Sequence, residues 1–187
     1  MALRLRCKVL LIGDPAVGKT AISQTFSHGL HHFRKDYAMT TGVDVYMKPI
    51  KIPEQPVCVE LFVLDAGGDD YTQELLKPHY ATANAFVFVY DVTSLDSFHH
   101  LRSWYERVQA ARENAAVVGV VLANKSDYDT SGHNMVKPHM GQEFAKARGL
   151  EFFDTSALRG EVEVPLCFLA EVFASSYEER RLALLEM

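Results

Sequence analysis

A glycine-rich segment that follows an apolar stretch near the start of the chain constrains the fold more than any other feature. The apolar stretch is residues 7–12, and the segment reads Gly13-Asp14-Pro15-Ala16-Val17-Gly18-Lys19-Thr20. A strand that passes through such a loop into a helix points several backbone N–H groups into one concavity, at the positive end of the helix dipole. The pattern predicts a polyphosphate site in which Lys19 contacts the β- and γ-phosphates and Thr20 ligates a magnesium ion.

Length and composition favour one soluble domain. The 187 residues, 48% of them hydrophobic, are enough to bury a full core, so we expect a single domain over residues 1–187. The net charge of −5 argues against a nucleic-acid-binding surface, which would be basic. The chain has no apolar run as long as a membrane span, and its first residues lack the apolar core of a signal peptide. Its three cysteines, Cys7, Cys58 and Cys167, lie far apart in apolar segments, which is typical of reduced core residues.

Apolar runs with the character of strands alternate with segments of helical periodicity. The predicted strands are Leu5–Ile12, Val43–Ile52, Val57–Leu64, Ala85–Tyr90, Val117–Ala123 and Leu150–Phe153. The first predicted helix begins at Lys19. Three more are predicted over Ser94–Arg112, Lys137–Arg148 and Glu163–Glu186. The short link between the second and third strands allows an antiparallel hairpin but not a parallel crossover. We therefore predict a three-layer α/β fold with a six-stranded, mostly parallel sheet, one antiparallel edge strand, and a ligand site at the carboxyl ends of the strands.

The identity of the bound base is indicated by Asn124-Lys125-Ser126-Asp127, which follows the fifth predicted strand. A carboxylate at the edge of the base accepts hydrogen bonds from the ring N–H and the exocyclic amine of guanine, and adenine offers no such pair of donors. Asp127 therefore predicts guanine, while the stem of Lys125 can lie over the ring and Asn124 can tie the segment to the phosphate loop. By itself such a tetrapeptide is typical of a surface turn, but its place after a buried strand favours the nucleotide site.

Three further segments fit the same ligand. Asp65-Ala66-Gly67-Gly68 ends the third strand, so we expect Asp65 to hold the magnesium ion through a water molecule and the Gly68 amide to contact the γ-phosphate. Thr40 is expected to ligate the same ion when a γ-phosphate is present. The segment Thr155-Ser156-Ala157-Leu158 follows the sixth strand and can present backbone amides to the guanine carbonyl.

In this order and spacing, the motifs resemble those of the Ras-superfamily small GTPases, over residues 5–177. Within the superfamily the chain is most similar to the Rabs, through Thr40-Thr41-Gly42-Val43-Asp44, Tyr90-Asp91-Val92-Thr93, Ser97-Phe98 and Trp104. The phosphate loop combined with Asp36-Tyr37-Ala38-Met39-Thr40-Thr41-Gly42 resembles the Rab-like GTPase branch of the intraflagellar transport complex. The resemblance implies a protein that binds GTP and GDP with Mg²⁺, within complex B of ciliary or flagellar transport.

The resemblance also implies roles for individual residues. Nucleotide contacts are expected from Gly13, Asp14, Pro15, Ala16, Val17, Gly18, Lys19, Thr20, Ala21, Gly68, Asn124, Lys125, Asp127, Ser156, Ala157 and Leu158. The expected ligands of Mg²⁺ are Thr20, Thr40 and Asp65. The residues expected to act in hydrolysis are Lys19, Thr40, Gly68 and Asp69.

Four departures from the superfamily pattern predict weak intrinsic GTP hydrolysis. Asp69 stands where most of these GTPases have a glutamine that orients the attacking water, and an ionised carboxylate adds negative charge beside the phosphates. Pro15 stands where glycine is frequent, and its ring would crowd the water and an incoming arginine finger. Ala66 replaces a usual threonine, and Leu158 replaces a lysine that usually covers the base. The residues for binding are kept while those for turnover are changed.

The ends of the chain and the resemblance together predict where the protein acts. No cysteine follows Cys167 and position 2 is not glycine, so we expect no direct lipid anchor. The resemblance implies a stable heterodimer with a small β-sandwich subunit, docked into a larger transport complex in the cytoplasm and the cilium or flagellum. We expect the final helix, residues 163–187, to contribute to the heterodimer whichever nucleotide is bound. Effectors are expected to contact residues 40–44, the first switch segment, and residues 65–80, the second switch segment.

Two other functions are compatible with parts of the sequence. A membrane-trafficking Rab that cycles with activating and exchange factors would share the motifs, but Asp69 counts against it. A P-loop kinase or ATPase would share the phosphate loop, but Asp127 disfavours it through its selection of guanine.

Histidine and tryptophan side chains in the predicted helix Ser94–Arg112 are possible ligand contacts, but a structural role is expected for each. His99 and His100 are adjacent, so they do not share a helix face, and a common metal site is not expected. Trp104 is expected to pack the helix onto the sheet.

Overall fold

The structure, a computed structural model, describes residues 3–32, 39–68, 70–113, 115–128 and 135–185. Within these ranges the side chains of residues 32, 70–74 and 185 are not described. The predicted site residue Asp69 and the residues Asp36, Tyr37 and Ala38 of the resemblance therefore lie outside the described residues.

Strands and helices alternate along the described chain, as the sequence predicts. The strands are β1 (Leu3–Ile12), β2 (Val43–Lys51), β3 (Val57–Ala66), β4 (Ala85–Asp91), β5 (Gly119–Asn124) and β6 (Glu151–Asp154). The helices are α1 (Lys19–His28), α2 (Asp70–Thr82), α3 (Leu95–Ala111), α4 (Pro138–Lys146) and α5 (Glu163–Leu185), with a short 3₁₀ helix at Leu30–His32. The sheet order is β2-β3-β1-β4-β5-β6, and β2 alone among these strands pairs antiparallel, with β3. This confirms the predicted six-stranded α/β sheet with one antiparallel edge strand.

Most predicted elements are confirmed to within a few residues. The link between β2 and β3 forms the predicted hairpin, and Ser94 caps α3 by accepting a hydrogen bond from the Ser97 N–H at 3.2 Å. Helix α5 begins at the predicted Glu163 and is described as far as Leu185. Helix α2 is not among the predicted elements. Pro78 lies inside it. Because proline lacks a backbone N–H donor, it is more typical of the first turn of a helix than of its interior.

The sheet carries a hydrophobic layer on each face. Leu5, Cys7, Val9 and Leu11 of β1 pack in one layer with α1 and α5, while Leu10 and Ile12 pack in the other with α2, α3 and α4. This alternation is the period of two that a strand imposes on its side chains. Every residue of β4 and β5 is buried, as expected for central strands covered on both faces. No helix in the described ranges combines the length and the apolar character needed to cross a bilayer.

The cysteines are free thiols, and they differ in burial. Cys7 is completely buried in the sheet, and this burial raises its pKa to about 12, which keeps the thiol protonated and unreactive. Cys58 and Cys167 are only partly buried. The prediction of a reduced core residue is therefore confirmed for Cys7, while the other two lie at the edge of the core.

Parallel strands bring the predicted motifs to one edge of the sheet. The loops after β1, β3, β5 and β6 carry residues 13–18, 67–68, 125–127 and 155–158 respectively, and Asn124 is the last residue of β5. Because these strands run in the same direction, their carboxyl ends lie side by side.

Candidate nucleotide-binding site

The phosphate loop turns sharply between β1 and α1, and its geometry requires two glycines. Gly13 and Gly18 have φ angles of 154° and 100°, a region that favours glycine. A Cβ atom on Gly13 would lie 2.2 Å from the Val89 carbonyl oxygen, and one on Gly18 would lie 2.2 Å from Asn124 Nδ2. Ala16 also has a positive φ, 62°, which is local strain of the kind found at ligand-binding loops. The loop is therefore packed closely against the ends of β4 and β5.

Lys19 begins α1 and is almost completely buried beneath the loop. Its ammonium group donates hydrogen bonds to the carbonyl oxygens of Gly13 at 2.8 Å and Asp14 at 2.7 Å. The residue that caps α1 is Gly18, which has no side chain to bond the first N–H groups of the helix. A buried cation next to an uncapped helix N-terminus gives this concavity the positive potential that a phosphate group requires.

A cavity of about 400 Å³ adjoins the phosphate loop on the side of β5 and β6. Its lining residues are Gly18, Ala21, Asn124, Lys125, Asp127, Tyr128, Ala157 and Leu158. All but Tyr128 are predicted nucleotide contacts, and the volume lies within the range of small-ligand pockets. Tyr128 was missed, although its position directly after Asp127 is a signal for it.

Hydrogen bonds join the residues of this cavity to one another. Asn124 Nδ2 donates to the Val17 carbonyl oxygen at 2.8 Å, which ties the base segment to the phosphate loop as the sequence predicts. Asn124 Oδ1 accepts from the Ala157 N–H at 3.3 Å. The Ser156 hydroxyl donates to Asp127 Oδ1 at 2.6 Å, which fixes the carboxylate in the cavity wall. The base side of the site is thus organised by its own residues.

Lys125 is held by a residue whose role the sequence did not reveal. Its φ angle is 65°, and its ammonium group lies 2.5 Å from Asp91 Oδ2 at the end of β4. The other oxygen of Asp91 accepts from the Thr93 N–H at 2.8 Å and the Thr93 hydroxyl at 2.7 Å. Asp91 belongs to a segment that carries the Rab resemblance, but its contact with Lys125 depends on the pairing of β4 with β5.

The three predicted magnesium ligands lie close together and fit the ion. The hydroxyl oxygens of Thr20 and Thr40 are 2.8 Å apart. Asp65 is completely buried, and neither of its carboxylate oxygens has a hydrogen-bond partner among the described residues. A buried carboxylate without a partner beside two hydroxyl oxygens is the all-oxygen donor set that Mg²⁺ prefers.

The pKa of Asp65 reflects the same environment. Burial raises it to about 6; the nearby Thr20 hydroxyl and the Lys19 charge lower it, and Asp44 raises it. The Thr20 hydroxyl approaches Asp65, but its hydrogen bond is with Thr40. A divalent cation would favour the ionised carboxylate and remove the cost of its burial.

The start of the second switch segment lies directly on the phosphate loop. A Cβ atom on Gly68 would lie 2.3 Å from the Pro15 nitrogen and 2.7 Å from Pro15 Cδ. Ala66, which replaces a usual threonine, is buried at the end of β3. Because Asp69 lies outside the described residues, the structure places the backbone leading to it but not the residue itself.

Two side chains of α3 reach the phosphate loop, and neither was predicted to do so. Trp104 Nε1 donates to Asp14 Oδ1 at 2.8 Å, and His100 Nδ1 lies 2.6 Å from Asp14 Oδ2. Trp104 also packs α3 onto the sheet, as expected. These contacts link residues about 90 positions apart, so the local sequence carries no signal for them.

Comparison with known proteins identifies the family. A family model described as Ras family matches residues 8–173. The chain belongs to the Ras family. It is 36% identical over 178 residues to "Intraflagellar transport protein 27 homolog" of Bos taurus, with 95% of each chain covered. It is also 36% identical over 180 residues to "Intraflagellar transport protein 27" of Chlamydomonas reinhardtii, with 94% of this chain and 88% of that protein covered. "Ras-related protein Rab-26" of Rattus norvegicus is 31% identical over 163 residues, 87% of this chain and 61% of that protein.

Membership of the Ras family makes the chain a GTP-binding small GTPase. It confirms the predicted fold class and the predicted class of ligand, and it excludes the kinase or ATPase alternative. GTP hydrolysis and the use of Mg²⁺ are general properties of the family. The roles of individual residues of this chain stay predictions, which the geometry above supports.

Proposed function

We propose that this Ras-family protein is a Rab-like subunit of intraflagellar transport complex B, and that it binds GTP and GDP in ciliary or flagellar transport. The observation that carries the proposal is the 36% identity, over 95% of both chains, to a protein named for intraflagellar transport. Relatives from Chlamydomonas reinhardtii and, at 28% identity, Trypanosoma brucei brucei carry the same name. Such similarity extends over almost the whole chain, whereas Rab-26 matches less of it at lower identity.

The guanine base occupies the cavity beside β5 in this proposal. Asp127 lines the cavity and is oriented by Ser156, so its carboxylate can accept from the ring N–H and the exocyclic amine of guanine. The phosphates lie over Lys19 and the N-terminus of α1. Leu158, half exposed at the cavity, covers the base through apolar contact.

Mg²⁺ is held by Thr20, Thr40 and Asp65 in this proposal. The ion would neutralise charge on the β- and γ-phosphates. Thr20 and Thr40 offer hydroxyl oxygens 2.8 Å apart, and Asp65 offers a carboxylate that burial otherwise disfavours. Thr40 thereby connects the first switch segment to α1, and Asp65 connects β3 to the same point.

Intrinsic hydrolysis is slow in this proposal because the position of the attacking water is crowded. Pro15 lies against the Gly68 backbone, where a Cβ atom would already clash at 2.3 Å. Asp69, next in the chain, lacks the amide donor with which a glutamine stabilises charge on the phosphoryl oxygens. Lys19 remains as the cation that contacts the phosphates.

Nucleotide selection is tested by equilibrium titration of the purified protein with labelled GDP, GTP and ATP, with and without Mg²⁺. We expect GTP and GDP to bind far more tightly than ATP, and Mg²⁺ to slow nucleotide release. Equal affinity for ATP and GTP would contradict the assignment of Asp127.

The partner surface includes the end of α5. The first half of this helix is anchored in the core through Leu166, Leu169 and Ala170, but Leu182 and Leu184 near its end are 49% and 74% exposed. Exposed leucines at the end of a helix are typical of a docking surface. We propose that they contact a small β-sandwich subunit, which joins the GTPase to a larger transport complex in the cytoplasm and the cilium or flagellum. Neither leucine lines the cavity beside the phosphate loop, so we expect the contact to be independent of GTP or GDP.

Co-expression with the β-sandwich subunit, followed by size-exclusion chromatography, tests this surface. The chain ended after Tyr177, and the double variant Leu182→Glu with Leu184→Glu, should weaken the heterodimer and leave GDP affinity unchanged. The control is Ala183→Glu, which adds one of these two negative charges at the exposed position between the leucines and should leave the heterodimer intact. Full retention of the heterodimer by both variants would remove the end of α5 from the interface.

A membrane-trafficking Rab is the second candidate, and the 31% identity to Rab-26 is the observation in its favour. That function predicts a prenylated protein that sediments with membranes and is extracted by a Rab carrier protein. Fractionation of ciliated cells decides between the two, because the proposed subunit sediments with the transport complex in detergent as well as without it.

A further inference from the structure

The phosphate loop contains an acidic side chain, Asp14, beside a site for an anion. A carboxylate in this position opposes phosphate binding unless its charge is directed elsewhere and compensated. Both of its oxygens are engaged by α3, since Trp104 Nε1 donates to Oδ1 at 2.8 Å and His100 Nδ1 lies 2.6 Å from Oδ2. The Asp14 side chain is only 20% exposed.

Both partners of Asp14 lie on one face of α3, and one of them is fixed by packing. His100 and Trp104 are four residues apart and therefore lie on the same face of the helix. Trp104 is 3% exposed, and the guanidinium of Arg107 lies 5.0 Å from its ring centroid. The indole is thus fixed by packing on the sheet, so its N–H group holds a defined position.

The backbone of Asp14 connects this contact to the phosphate site. Its carbonyl oxygen accepts a hydrogen bond from Lys19 Nζ at 2.7 Å, and a Cβ atom on Gly68 would lie 2.4 Å from its carbonyl carbon. The side chain of one residue is therefore held by α3, while its main chain contacts the phosphate-binding lysine and the start of the second switch segment.

We propose that His100 and Trp104 are positioning residues for the β- and γ-phosphates, acting through the carboxylate of Asp14. They direct its negative charge away from the ligand, and they fix the height of the loop above Lys19 by charge-assisted hydrogen bonds. Neither residue touches the nucleotide. The inference rests on the proposed GTP and GDP binding and adds to it a third support for the loop, beside Asn124 and the core.

The test compares the affinities of ligands that carry one, two and three phosphates. Trp104→Phe keeps the buried ring and removes the N–H donor. We expect it to weaken GTP and GDP about three- to tenfold in equilibrium competition titrations, and to leave the affinity for GMP unchanged. GMP lacks the β- and γ-phosphates that Lys19 contacts, whereas a general loss of structure would weaken all three ligands alike.

Two further sets of variants show whether the effect passes through Asp14. In an Asp14→Ala background, Trp104→Phe should have no additional effect, because the acceptor is already gone. His100→Ala should weaken GDP in the same direction, and His100→Gln should recover part of the loss because its amide can still donate. His99→Gln, at the exposed neighbouring position, is the matched control and should change nothing.

Distinct outcomes separate this inference from the proposed function. If the wild-type protein does not select guanine nucleotides, the proposed function fails, and the inference fails with it. If the wild-type protein binds GDP normally, three results would each overturn the inference alone. These are unchanged GTP and GDP affinity in both Trp104→Phe and His100→Ala, an equal loss for GMP, or a full effect of Trp104→Phe in the absence of Asp14. If Trp104→Phe does not fold, the exposed His100 variants decide the question by the same criteria.

Discussion

The two ends of the nucleotide site are held in different ways. At the base end, Asn124 bonds to Val17 at 2.8 Å and Asp127 to Ser156 at 2.6 Å, so the recognition residues are fixed by one another. At the γ-phosphate end, the buried oxygens of Asp65 have no hydrogen-bond partner in the described part of the chain. The base end is complete within the protein, whereas the other end has polar groups that a cation would satisfy.

This difference implies that the base end of the site mainly determines nucleotide affinity, and the γ-phosphate end mainly determines GTP turnover. A site organised by its own hydrogen bonds pays little ordering cost when the base enters, which favours tight binding. A γ-phosphate end whose carboxylate is buried without a partner depends on the metal for its geometry. Substitutions at the two ends should therefore have different consequences for stability, binding and hydrolysis.

The largest effect is expected at the base end, from Asp127→Asn. An amide has one acceptor and one donor where guanine requires acceptors, so GTP affinity should fall about 100-fold, and xanthosine nucleotides should gain affinity. Competition titrations with GDP and xanthosine diphosphate measure both changes. Ser126→Ala, in the same turn, is the control and should bind GDP normally. An equal loss for both bases would mean that the variant disrupts the loop rather than the recognition.

A smaller effect, on folding itself, is expected from Asn124→Ala. The side chain is 2% exposed and bonds to two loops, so its removal leaves the Val17 carbonyl oxygen and the Ala157 N–H without these bonds. The free energy of unfolding without nucleotide should fall by about 2 kcal/mol. Thr40→Ala, at the other end, should change it by less than about 0.5 kcal/mol while it weakens the response to Mg²⁺. Urea unfolding of both variants makes the comparison, and equal losses would contradict it.

The γ-phosphate end should show a pH dependence of stability that originates in Asp65. Its folded pKa of about 6 lies above the ordinary value of 3.8, so between these values the folded state holds a proton that the unfolded state has released. Raising the pH from 5 to 7.5 should therefore destabilise the protein free of metal and nucleotide, by about 1 kcal/mol more than it destabilises Asp65→Asn. Mg²⁺ with GDP should abolish this difference. Identical pH profiles for the two proteins in the absence of ligand would contradict the assigned pKa.

The smallest effect is expected on hydrolysis, from Asp69→Gln. We expect an intrinsic rate on the order of 10⁻⁴ per second or below for the wild type, and an increase of less than about tenfold in the variant while Pro15 crowds the water. The double variant Pro15→Gly with Asp69→Gln should be faster than either single variant. Single-turnover assays with labelled GTP measure these rates. A wild-type rate well above this baseline would mean that another residue positions the water.

The sequence predicts the base end of the site almost completely because its residues form contiguous motifs. Asn124 and Asp127 follow one strand, and parallel pairing fixes where that strand ends. The contacts that the sequence does not reveal join distant segments: Asp91 at the end of β4 reaches Lys125 just after the neighbouring β5, and Trp104 reaches Asp14 from α3. Such contacts depend on how elements pack, which motif spacing does not encode.

The sequence also leaves one helix, α2, and one pKa, that of Asp65, unpredicted. Helix α2 contains Pro78 and follows two glycines, features typical of a loop, and its packing against β1 and α3 outweighs that local preference. The raised pKa of Asp65 depends on complete burial, which becomes apparent only when β3 is placed inside the sheet.

The close approach of Gly18 to Asn124 has a consequence for how this chain can diverge. With 2.2 Å between a hypothetical methyl group at position 18 and the amide nitrogen at position 124, position 18 cannot accept a side chain while Asn124 keeps its place. The glycine that shapes the phosphate loop and the asparagine that begins the guanine motif are therefore coupled by direct steric contact. A smaller residue at position 124 would remove this contact, but the φ angle of 100° would still favour glycine at position 18, so the glycine is the more tightly constrained of the two positions.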